Sequence, residues 1–279
     1  MNKLSLERKV QIIKVLCEGN SIRGTARITD TAINTVVKLL REVGKACLVY
    51  QDKTMHNLTC NKVQVDEIWS FCYAKQKNVP QDKQGEFGYG DIWTFTAIDT
   101  DTKLVPCWLV GLRNIDCAMA FINDLKSRLA NRVQLTTDGH RVYLEAIERT
   151  FGSSVDYAML VKLYGQEPEQ EKRYSPAICM SATPTIIQGN PDPRFISTSF
   201  VERQNLTMRM SMRRFTRLTN AFSKKLENHI FALALYFMYY NFARPHKTLT
   251  NPYPRTLAMA SGISAHIWTI EEVVKLAIK

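Results

Sequence analysis

The sequence predicts an α/β fold: a mixed sheet with flanking helices, preceded by an all-helical segment. Apolar residues recur at helical spacing through the first 43 positions, strand-like runs follow one another between residues 63 and 110, and strands then alternate with helices to residue 163. The chain has 279 residues, of which 45% are hydrophobic and 23% charged, so it can bury a substantial core and hold more than one structural unit.

In the first 45 residues, Leu4, Leu6, Val10, Ile13, Val15 and Leu16 space a helix, with Ser5 as its N-cap and Gly19 as its stop. Ser21 starts a second short helix, Ile22 to Arg27. Asp30 caps a third, Ala32 to Val43, which Gly44 ends. A tight connection before the third of three short helices is a helix-turn-helix pattern. On the third helix, Asn34, Thr35, Lys38 and Arg41 form the polar side from which base and phosphate contacts come. The expected units are a helix-turn-helix DNA-binding domain over 1–45 and a linker over 46–62.

Val63 to Tyr73, Ile92 to Asp99 and Leu104 to Val110 read as strands, rich in β-branched and aromatic residues. Asp99-Thr100-Asp101-Thr102-Lys103 has the composition of a hairpin turn, so these strands form an antiparallel meander. Asp116 to Leu129 has helical spacing, Val133 to Thr137 is a short strand, His140 to Phe151 a helix and Asp156 to Leu163 a strand. A meander followed by alternating strands and helices is the order of an RNase H-like sheet. The expected domain spans 63–242. Within it, the polar, Pro-rich stretch at about 164–198 reads as a long loop or insertion. Helices are expected over 199–212 and 221–241, and residues 243–279 read as a C-terminal tail.

The net charge of +11 is clustered: residues 194–255 hold 11 Lys/Arg against 2 Asp/Glu, and residues 1–60 hold 10 against 5. Such patches fit a polyanion, DNA or RNA. Cysteines at 17, 47, 60, 72, 107, 117 and 179 are odd in number and contain no Cys-x-x-Cys pair. That argues against a disulfide framework and for a cytoplasmic compartment. The longest apolar run, Ile230 to Tyr240, is too short to span a bilayer, so no membrane association is expected.

Three carboxylates have settings suited to chemistry. Asp66 lies in Val65-Asp66-Glu67-Ile68-Trp69, Asp138 follows Leu135-Thr136-Thr137, and Glu202 opens a basic helix-like stretch. In the expected sheet Asp66 and Asp138 fall on neighbouring strands, and a helix carrying Glu202 can pack over them. Phosphoryl transfer on nucleic acid uses two divalent ions that serve the attacking and leaving oxygens, and Mg²⁺ takes oxygen ligands, chiefly carboxylates. Glu67 should point to the opposite strand face. It ranks below the trio, as do Asp91, Asp99 and Asp101. His140 either orients water or DNA, or caps a helix. Asn205 and Arg209 share Glu202's helix face, and Arg213, Arg214, Arg217, Lys224 and Lys225 follow, interleaved with Phe215 and Phe222. All are candidate DNA contacts.

These residues resemble a family. The Asp66 segment, Thr136-Thr137-Asp138-Gly139-His140, Phe200-Val201-Glu202-Arg203-Gln204-Asn205-Leu206 and the block Arg214 to Ser223 are similar to transposases of the insertion sequence one type, bacterial DDE enzymes of the RNase H-like superfamily. The later Tyr240-Asn241-Phe242-Ala243-Arg244-Pro245-His246-Lys247-Thr248-Leu249 resembles a segment near the end of many transposases and integrases. The resemblance covers roughly residues 5–255. It implies that Asp66, Asp138 and Glu202 bind Mg²⁺, with Mn²⁺ able to substitute. It also implies cleavage at the ends of an element and strand transfer into target DNA. The implied partners are double-stranded DNA (terminal inverted repeats and target) and further copies of the chain on paired ends, in the bacterial, nucleoid-associated cytoplasm. One departure stands out: 63 residues separate Asp138 from Glu202, more than in many DDE enzymes. The competing expectations are a non-catalytic, sequence-specific DNA-binding protein derived from a transposase scaffold, and a structure-selective nuclease of the same fold.

Overall fold

The computed structural model describes residues 4–165, 179–216 and 220–278. Its strands are β1 (Lys62–Cys72), β2 (Gly90–Asp99), β3 (Trp108–Gly111), β4 (Val133–Asp138), β5 (Val155–Tyr164) and β6 (Cys179–Gln188). The helices are α1 (Leu6–Cys17), α2 (Ile22–Ile28), α3 (Ile33–Thr54), α4 (Ile115–Arg128), α5 (Val142–Phe151), α6 (Ser199–Ser211), α7 (Leu226–Met238), α8 (Leu257–Ala260) and α9 (Ile270–Lys275). The strands form one mixed sheet in the order β3-β2-β1-β4-β5-β6. β1 runs antiparallel to β2 and parallel to β4, β4 is parallel to β5, and β6 returns antiparallel. The order β3-β2-β1-β4-β5 is the one that the sequence predicts for an RNase H-like sheet, and β6 is added to it at the edge.

Cross-strand partners share a face of a sheet, which settles what covers each side. Glu67 pairs with Phe95, whose ring meets Phe121 of α4 and Tyr143 of α5. Asp66 pairs with Thr96, and Thr96 with Trp108, whose ring stacks 5.5 Å from Phe237 of α7. Thus α4 and α5 cover one face, and α6 and α7 the other. Both faces of the central strands are buried, as expected for strands at the heart of a mixed sheet.

Several elements depart from the sequence reading. Gly44 does not end α3, which runs on to Thr54 through most of the stretch read as a linker. A Cβ at Gly44 would lie 2.4 Å from the Phe231 carbonyl oxygen, so this glycine lets α3 and α7 approach closely. Gln51 reinforces the crossing by donating to the Ala234 carbonyl (2.9 Å). β3 is shorter than expected because Pro106 has no N–H for the ladder. The polar stretch read as a loop contains β6, an edge strand whose side chains are almost all exposed. With neither face buried it needs no apolar alternation, and Pro184 is tolerated at an edge.

Residues 221–225, read as helix, are extended, and the Ser223 carbonyl accepts from the Tyr73 N–H at the end of β1 (2.8 Å). The stretch read as a tail carries α8 and α9, which bury Leu257, Ala258, Val273 and Val274. Trp268 packs on Tyr50 of α3 (4.8 Å between ring centres) and on Phe242. Among the described residues, no helix is long and apolar enough to cross a membrane.

Candidate active site

The parallel β1–β4 ladder aligns Val65 with Thr137, so the next step along both strands sets Asp66 beside Asp138. Both side chains leave the sheet on the α6 side and are half-buried. The Asp66 carboxylate accepts the Glu67 backbone N–H on one oxygen (2.8 Å) and Asn205 Nδ2 on the other (2.8 Å). Asp138 accepts the His140 backbone N–H (3.0 Å).

Glu67 leaves β1 on the α5 side, as alternation requires. There it is almost fully buried, accepting Arg113 Nε (2.6 Å) and the Tyr143 hydroxyl (2.8 Å). The β1–β4 ladder stops one residue earlier, so the longer Glu67 side chain still approaches the aspartates. One oxygen each of Asp66, Glu67 and Asp138 lies within 4.8 Å of the other two. Burial, then the Glu67 and Asp138 charges, push the Asp66 carboxyl up to about 8; the bond from the Glu67 N–H opposes the shift. Burial and the Glu67 charge also raise Asp138, against the bond from His140.

Glu202 stands outside that group. It lies in the first turn of α6 on the same side of the sheet as Asp66 and Asp138, close enough for its charge to add to the rise at Asp66. Its carboxylate accepts the Thr198 hydroxyl (2.6 Å) and pairs with Lys162 of β5. Asp138 is aligned with Leu160, so Lys162, two residues on, points to the same face as Asp138.

The start of α6 is fixed from β1. Thr198 spends its hydroxyl on Glu202 and does not cap the helix. Gln64, 2% exposed, caps it instead: Oε1 accepts the backbone N–H groups of Phe200 (2.8 Å) and Val201 (3.1 Å). Gln64 and Asp66 share a strand face, so one face of β1 grips α6 twice, through Gln64 at its start and Asn205 one turn on. The sequence reading missed Gln64, Arg113, Lys162 and Tyr143. The available signal for Gln64 was its place two positions before Asp66, on the same strand face, although β1 also carries Lys62, Glu67 and Ser70.

The rival acids have structural partners. Asp99 is buried in the β2–β3 turn, accepting both the N–H and the hydroxyl of Thr102. Asp101 pairs with Lys62 (2.9 Å), and Asp91 opens β2 opposite Phe71. His140 meets the Tyr143 ring edge-on at 6.0 Å, and its buried Nε2 has no hydrogen-bond partner among the described residues.

The DNA-contact candidates fall into distinct settings. Asn34 and Lys38 are exposed on α3 and Thr35 is half-buried; Lys38 lies 3.9 Å from Glu42. Arg41 is engaged by Glu227 of α7 (2.5 Å). Asn205 is 4% exposed and bound to Asp66, which corrects its expected place on DNA: it serves the carboxylate and not the surface. Arg209 is half-buried on α6. Arg213, Lys224 and Lys225 are exposed, with Lys224 5.1 Å over the Phe222 ring. Arg214 is half-buried, and burial pulls its guanidinium down to about 10. Arg217 lies outside the described residues.

No protein-family model matches the sequence, and no curated protein matches it. Among solved structures, the whole chain aligns with 72% of the piggyBac transposase in its cryo-EM synaptic complex with hairpin DNA, at a TM-score of 0.37 and 10% identity. About half of it (53%) aligns with 58% of the Mos1 mariner chain in a crystal structure of the paired-end complex with Mn, at a TM-score of 0.20 and 11% identity. The fold assignment rests on the strand order and register described above.

Proposed function

We propose that this chain is a DDE-type DNA transposase of the bacterial insertion-sequence kind. It would cleave DNA at the ends of an element and transfer those ends into target DNA, as an oligomer on paired ends. The observation that carries the reading is the gathering of Asp66, Glu67 and Asp138 oxygens within 4.8 Å of one another, with the Asp66 carboxyl pushed up to about 8. Such a cluster favours either a proton or a cation, and an all-oxygen donor set fits Mg²⁺ or Mn²⁺.

Asp66 and Asp138 would hold the metal, with Glu202 as the third ligand and Glu67 as the nearer alternative. When bound, divalent ions supply an activated oxygen nucleophile and relieve charge on the leaving oxygen. Asn205 and the Glu67 N–H orient Asp66, and the His140 N–H orients Asp138. Lys162 holds Glu202 against the site while the helix start is anchored by Gln64. Asn34, Thr35, Lys38 and Arg41 on α3, with Arg209, Arg213, Arg217, Lys224 and Lys225, are assigned to DNA; Arg41 must give up Glu227 to take part.

The test is nicking of DNA carrying the sequences that flank this gene, in Mg²⁺, Mn²⁺ or EDTA. Wild type would be compared with Glu202→Gln and Glu67→Gln. Metal-dependent nicking by wild type is expected, with loss in Glu202→Gln. Loss in Glu67→Gln alone would make Glu67 the third ligand. Tight sequence-specific binding without nicking in any metal would overturn catalysis in favour of a non-catalytic DNA-binding protein on this scaffold.

A further inference from the structure

A groove of about 1130 Å³ lies between the α1–α2 turn with α2 and the start of α3 on one wall, and residues 211–214 and 220–224 on the other, with Asn228, Ala232, Leu235 and Tyr236 at α7 also lining it. The walls meet at Gly19, whose φ is +79° and where a Cβ would come 2.8 Å from the Ser211 carbonyl oxygen. On the other side, the Ser223 carbonyl fixes the second wall to the end of β1.

Five cations line the groove: Arg23 and Arg27 from α2, and Arg213, Arg214 and Lys224 from the facing wall, with no acid among the lining residues. None of the five has an ion-pair partner among the described residues. Three buried polar atoms of the lining residues have no hydrogen-bond partner among the described residues: Ser223 Oγ, in a residue 5% exposed, Arg214 Nε and the acceptor Asn228 Oδ1. Leaving such groups unpaired is costly, so the lining holds both donor and acceptor capacity that a polar ligand could use. Between the cations the surface is apolar, with Ile28 59% and Ile33 48% exposed. Cations alternating with apolar side chains match a sugar–phosphate backbone, whose phosphates are charged and whose sugars are not.

We infer that this groove binds one strand of the DNA that is cut at the carboxylates, a few base pairs from the scissile phosphate; the inference rests on the DNA reading proposed above. The groove and the carboxylates lie at opposite ends of the same elements. From Glu202 to Ser211 along α6 is about 14 Å at the helical rise. From Asp66 to Cys72 along β1 is roughly 20 Å at the strand rise. At 3.4 Å per nucleotide along the duplex axis, these distances correspond to about 4–6 base pairs.

The experiment is fluorescence anisotropy of the full chain with a labelled duplex, titrated across salt concentrations, comparing wild type with the double variant Arg23→Ala/Arg27→Ala and with Ser223→Ala. Both arginines are exposed on α2, so their removal leaves the core untouched. Each lost phosphate contact lowers the slope of log affinity against log salt by about 0.9, so the double variant should lose about 2. Its deficit relative to wild type should then shrink roughly tenfold between about 50 and 200 mM salt. Ser223→Ala, which removes an uncharged donor, should weaken binding about tenfold at every salt concentration with the slope unchanged. An unchanged slope in the double variant overturns the groove assignment, even if metal-dependent nicking persists and the proposed activity stands. A reduced slope without nicking in any metal keeps the groove as a DNA site and overturns only the catalytic reading.

Discussion

The two ends of α6 gather like charges in opposite ways. At its start, Asp66, Glu67 and Asp138 are brought together by strand register, and every carboxylate is met by specific donors: Asn205, Arg113, Tyr143 and backbone N–H groups. At its end, Arg23, Arg27 and Arg213 are exposed and have no ion-pair partners among the described residues. Buried like charges oppose folding and must be supported by the surrounding structure, whereas exposed ones are screened by water and salt. The first cluster is therefore sensitive to pH and metal, and the second to ionic strength.

The largest expected effect lies at the acidic end. Asp66→Asn and Asp138→Asn should each cut metal-dependent nicking by on the order of 10³-fold or more, since metal stabilisation of the transition state is worth several kcal/mol. DNA affinity should stay within a few-fold of wild type, because the cationic groove is intact. Parallel nicking and anisotropy assays check this, and equal loss of both would break the separation between the two ends.

A smaller effect is a pH-dependent stability. Asp66 keeps its proton up to about pH 8 in the folded chain, whereas an unperturbed aspartate loses it near pH 3.9. Between those values the folded state binds more protons than the unfolded state, so stability falls as pH rises. The fall should be at most about 1.4 kcal/mol per pH unit. Thermal unfolding in EDTA across pH 4–9 measures it. Asp66→Asn should flatten the profile, and Mg²⁺ should raise the Tm of wild type at pH 8 but not that of the variant. A wild-type profile as flat as the variant's would mean that burial and the neighbouring acids do not raise the Asp66 carboxyl.

The smallest effect sharpens how the acidic end is held. Gln64→Ala removes the cap on α6 and should cost about 1 kcal/mol in chemical denaturation. Nicking by Gln64→Ala should fall more than its stability accounts for, since Glu202 sits in the turn that Gln64 anchors.

Much of the fold was legible because the meander, the helix α4 and the strands β4 and β5 carry strong local periodicity, and the structure keeps their order. The errors arose where a tertiary neighbour overrode a local signal. Gly44 reads as a helix stop, but it is the close contact of α3 with α7. Pro184 and its polar neighbours read as loop, but they form an edge strand that needs no buried face. The Ala221–Lys225 run reads as helix, but Ser223 is pinned to the end of β1. In the candidate site, strand order alone placed Asp66 beside Asp138. Asn205 was assigned to DNA because helix spacing shows which residues share a face and not what that face meets; here it meets Asp66.

The sequence by itself determined the order of β1 to β5 with α4 and α5, the placing of Asp66 and Asp138 on neighbouring strands, and the cationic character of residues 1–60 and 194–255. These follow from local periodicity and from residue charge. Only the tertiary structure decided that Glu67 reaches the aspartates across the end of the β1–β4 ladder, that Glu202 is held by Lys162, that Gln64 caps α6, and that α2 faces Arg213 across a groove. Each of these joins residues far apart in the chain, and their proximity depends on the register, crossing and splay of packed elements, which no local pattern encodes.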